Sequence, residues 1–88
     1  MRLDAVVLLF ADLGRDELAG WVHRRWVLPD GEGEDVAFAE IDIARVRLIH
    51  DLRRAMGVAE DTIPLVLSLL DQVYELRAAL AAVRSAAR

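Results

Sequence analysis

Residues 63–88 read IPLVLSLLDQVYELRAALAAVRSAAR, and the spacing of their apolar side chains decides the fold class. Val66, Leu69, Val73, Leu76, Leu80, Val83 and Ala87 recur at intervals of 3-4-3-4-3-4, which is the a/d seam of a heptad repeat. Valine fills the first two a positions and leucine the first two d positions, over about three heptads. The pattern predicts one long helix over 61–88. Asp61 or Thr62 would cap it, and Pro64 is tolerated in its first turn, where backbone N–H groups have no intrahelical partner. From Ile63 to Leu70 the helix is apolar almost all round, which predicts burial on two sides. One side would pack on the rest of the chain. The other, with Val66, Leu69, Val73, Leu76, Leu80 and Val83, is a candidate homodimer surface, the alternative being a seam packed within one monomer.

Working back along the chain, residues 40–56 predict a third helix with Val46, Ile49, Leu52 and Met56 inward and Gly57 as its stop. Arg45, Arg47, Asp51, Arg53 and Arg54 fall on its polar side and are expected to be mostly solvated. Before it, Trp26-Val27-Leu28 is extended as far as Pro29, and Val36-Ala37-Phe38 returns after the turn-rich stretch 30–35. These two segments predict a small β-hairpin wing, with a loop longer than the favoured two residues. A second helix is expected over 15–26, with Leu18, Val22 and Trp26 at spacing four and Trp21 beside them. Asp16 and Glu17 lie in its first turn, where carboxylates suit the helix dipole. Asp4 would cap a first helix from Ala5 to Leu13, ended by Gly14, although periodicity alone also allows a strand there. The organisation is one mostly α domain: a winged helix-turn-helix body over 1–60 and a long dimerisation helix over 61–88.

An 88-residue chain buries only about 60–65% of its unfolded surface, so its core is marginal. It has no cysteine, hence no disulfide and no thiolate, and extra stability must come from helix packing or a second subunit. Hydrophobic residues make up 56%, more than so small an interior needs, which points part of that surface at a partner. Fifteen acidic residues outnumber eleven basic ones, all arginine. That balance argues against sequence-independent nucleic-acid binding, which draws its affinity from phosphate neutralisation. The run Ala5–Phe10 is too short for a membrane span and has no cleavage site of the signal-peptide kind, so the cytosol is the expected compartment.

Chemistry-bearing constellations are not evident. His23 stands beside Arg24 and Arg25, which disfavour a bound cation, and His50 neighbours Asp51. No HExxH, nucleophile–base pair or phosphate-binding glycine loop is present, so neither enzyme activity, metal nor cofactor is expected. Six carboxylates between residues 30 and 42 (Asp30, Glu32, Glu34, Asp35, Glu40, Asp42) stand without a basic residue among them. They are either a solvated loop and helix start or a steering surface for a basic partner. With Trp26, a residue type enriched at interface hot spots, they form the candidate partner-binding set.

Leu18-Ala19-Gly20-Trp21-Val22, Trp26-Val27-Leu28-Pro29, the stretch from Ala44 to Leu52 and the stretch from Ile63 to Val73 together resemble the CbpM-type chaperone modulators, within the MerR-like winged helix-turn-helix group. The likeness covers about residues 4–83. It implies a protein that binds the J-domain of a DnaJ-like co-chaperone of the CbpA type and inhibits its co-chaperone and DNA-binding activities, without a cofactor. A MerR-like transcriptional regulator is the alternative, disfavoured by the Asp16-Glu17 opening of the second helix and by the acidic wing loop.

Overall fold

The structure, a computed structural model, describes residues 1–87; Arg88 and the side chain of Glu34 lie outside the described residues. Four α-helices follow one another: α1 over Leu3–Val7, α2 over Arg15–His23, α3 over Glu40–Arg54 and α4 over Ile63–Ala86. The first three and the start of the fourth enclose one apolar core. Val6, Leu18, Val27, Val46, Ile49 and Ile63 are its fully buried centre, and Phe10, Trp21, Trp26 and Phe38 fill the space around them.

The first helix is shorter than its sequence predicts. Its N-cap is Arg2, so Asp4 sits inside the first turn, where its carboxylate meets Arg15 Nε at 2.8 Å. After Val7 the chain passes into turns, with Leu9 N–H and Phe10 N–H donating three residues back to Val6 O and Val7 O, and α3 holds the carbonyls that follow. His50 Nε2 bonds the Ala11 carbonyl at 2.7 Å, Arg54 donates to the Asp12 carbonyl at 2.9 Å, and Asp12 itself has a φ of +59°. Phe10 and Leu13 still turn inward, as a helix would have placed them.

The second helix also closes early, at His23. The Trp26 N–H donates back to Trp21 O at 2.9 Å and the Arg25 N–H to Val22 O at 3.0 Å, a Schellman ending. Its left-handed position is held by Arg25 at φ +64°, where glycine is usual and any other side chain costs about 1–2 kcal/mol. The reversal drops Trp26 and Val27 into the core.

The predicted wing is not formed: the described residues contain no strand and no sheet. Residues 33–35 make a 3-10 turn, and the return segment is tied by two isolated antiparallel bridges, Asp30 to Ala37 and Arg2 to Ala37. Asp30 and Ala37 exchange N–H···O bonds at 3.1 and 2.7 Å, and Phe38 N–H donates to Met1 O. The cause is local. Pro29 has no N–H to extend the ladder, and Gly31 (φ +92°) and Gly33 (φ +60°) turn the backbone within the loop instead of prolonging two strands. A winged helix-turn-helix is therefore not the architecture. The long C-terminal helix is present.

On the polar side of α3, Arg47, Asp51 and Arg54 are exposed, as expected, while Arg45 and Arg53 are half-buried, and the arginines make structural contacts that the sequence does not show. Arg45 donates from Nε to the Trp26 carbonyl at 2.6 Å and from both terminal nitrogens to Asp71 at 2.6 and 3.1 Å, joining the end of α2 to α4. Arg54 forks onto Glu17 of α2 at 2.6 and 3.0 Å, and Arg53 holds the Val58 carbonyl at 2.8 Å. Arg47 lies over the Phe10 ring, 5.1 Å from its centroid. Two carboxyls respond. Glu17 is held below its ordinary value by the Arg54 hydrogen bond, and Asp71 by the hydrogen bond from Arg45. Met56, predicted inward, lies beyond the end of α3 and is 69% exposed, while Gly57 (φ +63°) closes the segment as predicted.

Candidate protein-protein interface

At 100° per residue, the side chains by which α4 meets the body share one side of the helix: Ile63 and Leu67 are buried, Leu70 is half-buried and Asp71 carries the Arg45 bond. The heptad seam points elsewhere, with its centre more than a third of a turn away. The body consequently covers only the start of α4. From Gln72 to Ala87 every residue is exposed, and the helical part, to Ala86, is a bare helix about 22 Å long. Leu69, Val73, Leu76, Leu80 and Val83 lie between 42% and 70% exposed on it, and Val66 is half-buried at the body's edge. The expected burial on two sides is thus seen on one side alone.

This bare helix is measurable in the whole molecule. The extents are 48 × 29 × 20 Å and the radius of gyration is 15.0 Å, against about 12 Å for a globular chain of this length. The accessible surface is 6356 Å², while a folded monomer of this mass has roughly 5,200 Å².

The acidic run is not a continuous free surface. Asp42 turns back to accept the Ala39 N–H at 2.8 Å, capping α3, and Asp35 lies 3.8 Å from Arg2. Asp30, Glu32 and Glu40 are exposed and make no ion pair among the described residues; the side chain of Glu34 lies outside them. Trp26 is in the core, with the Arg24 guanidinium 5.2 Å above its ring, and offers little free face.

Sequence reasoning missed the groove in which part of this run takes part. A cleft of about 970 Å³ runs between α1, α2 and residues 28–36. Glu32 and Asp35 stand on its loop wall and Asp16 on its α2 wall, with Arg2, Arg15 and Arg25 in the same lining. No sequence signal could show this, because it assembles residues from three separate segments. Among the described residues, no helix is long and apolar enough to cross a membrane.

Comparison with family models, with curated proteins and with solved structures gives no match.

Proposed function

We propose that this protein is a non-catalytic interaction module of the cytosol, which pairs with a second copy through α4 and modulates a DnaJ-like co-chaperone by binding its J-domain. The observation that carries the pairing is the uncovered seam. The roughly 1,200 Å² of surface beyond that of an ordinary monomer exceeds the ~800 Å² that each partner buries in a stable interface. A second copy is the occupant favoured here, because the a/d spacing of valine and leucine is self-complementary.

The J-domain reading is supported by the sequence resemblance in α2, α3 and α4 and by the exposed carboxylates Asp30, Glu32 and Glu40, which suit a basic partner. The absent wing removes one likeness on which that resemblance leaned. It equally removes the element by which a MerR-like regulator would grip a DNA backbone, and no other observation favours that second reading.

Calorimetric titration of the protein with a recombinant J-domain, with duplex DNA in parallel, tests the proposal. Saturation near one J-domain per subunit, with DNA silent at moderate salt, is the expected result. Silence with the J-domain and salt-dependent DNA binding would overturn it.

A further inference from the structure

We infer that the groove between α1, α2 and residues 28–36 is a docking site for about two turns of a basic amphipathic helix, an inference that rests on the partner-binding reading above. The charges of the groove are mostly settled within the chain: Arg15 meets Asp4 and Arg2 meets Asp35. What remains without an ion-pair partner among the described residues is Asp16 on one wall, Glu32 on the other and Arg25. Two unpaired carboxylates brought into one lining from separate segments fit a partner with basic side chains on both flanks. Between them the lining is apolar, with Ala19, Val22, Leu28 and Pro29 exposed or half-exposed there.

The backbone disfavours an extended peptide, and the volume of the groove admits a helix. A cylinder 10 Å across fills about 420 Å³ per 5.4 Å turn, so the 970 Å³ of the groove takes about two turns. An extended peptide binds by adding to an open ladder edge. Here Asp30 and Ala37 already bond each other, and Pro29 has no N–H to give. Arg25 supplies an independent sign. A side chain is held at φ +64°, where glycine would sit without strain, and its guanidinium lines the groove with no ion-pair partner among the described residues. The conformation belongs to the ending of α2, and the unpaired guanidinium is what it adds to the groove. The docked helix therefore carries a carboxylate for Arg25 as well as its basic flanks.

The test uses the full chain and two probes, a recombinant J-domain and a synthetic amphipathic helical peptide with lysines at i and i+5, on opposite flanks of its apolar face, and one glutamate. The double variant Asp16→Lys with Glu32→Lys should weaken both probes at least tenfold, and Arg25→Gln severalfold. Asp51→Lys with Asp61→Lys, an equal charge change at exposed positions outside the groove, should leave both within twofold. Circular dichroism checks that the variants fold, and Asp16→Asn with Glu32→Gln gives a milder form should the lysine pair not fold. A J-domain that binds unchanged to the double variant overturns the groove and leaves the proposed function standing. Peptide binding at the groove with a silent J-domain keeps the groove and removes the J-domain reading. Failure of both probes with the wild-type chain overturns the groove assignment.

Discussion

The two halves of α4 have the same apolar character and opposite fates. In Ile63–Asp71 the body covers Ile63 and Leu67, and Arg45 pins Asp71. In Gln72–Ala87 none of the described residues covers Leu76 or Leu80, and the helix must stand on intrinsic propensity. Its composition favours this, since Ala78, Ala79, Ala81, Ala82 and Ala86 are the best helix formers and isolated helices of this length are marginal without them. Periodicity therefore reports which side of a helix is apolar. What covers that side depends on how far the body reaches.

The contrast can be broken by mutation. Ile63→Ala should destabilise the monomer by about 2–5 kcal/mol, read from the urea midpoint, since it leaves a cavity in the core. A loss below ~1 kcal/mol would mean that the proximal half is as loosely held as the distal one. Leu76→Glu, in the distal half, should leave the circular dichroism of the chain unchanged and convert a sedimenting dimer to monomer. If that variant unfolds the chain, the seam packs at home and the division between the halves is wrong.

Acid sharpens the boundary. Glu17 and Asp71 have folded values depressed below their ordinary 4.5 and 3.8 by Arg54 and Arg45, so their stabilisation is complete above those values. It is lost as pH falls through the lower, folded values. The urea midpoint should decline from about pH 5 towards about pH 3, and Asp71→Asn together with Glu17→Gln should flatten that decline; a midpoint rising towards acid would contradict the assignment. The smallest effect is expected from Ala82→Gly, which costs about 1 kcal/mol of local helix. Amide exchange across residues 76–86 should quicken at protein concentrations below association, with the melting of the body unmoved. Equal protection in both halves would show that the distal half is covered after all.

Much of the fold is legible in the sequence where neighbours in the chain decide the outcome. Val46, Ile49 and Leu52 keep the inward spacing of α3, Leu18 and Trp21 that of α2, and Gly57 stops its segment by its own conformation. The wing fails for a local reason, Pro29 and the positive φ of Gly31 and Gly33, while other misreadings arise where distant residues intervene. The turns after α1 are held at the Ala11 and Asp12 carbonyls by His50 and Arg54, about forty positions on, which no local cap or glycine reveals. Arg45 looks like a surface charge until folding brings Trp26 and Asp71 to it, 19 and 26 positions away. For the candidate interface, the α4 stripe is readable as a pattern. The acidic run is readable only as composition, because Asp42 commits its carboxylate to a cap and Asp35 lies beside Arg2.

Arg45 has a mechanical consequence. One planar guanidinium reads the backbone where α2 has just ended and a carboxylate at the point where α4 leaves the body. It acts as a set square: the angle at which the long arm projects is indexed to the position of a single carbonyl oxygen. A lysine there would keep the charge and lose the angle. In the proposed dimer, the distance between two bodies joined at their arms would then cease to be fixed.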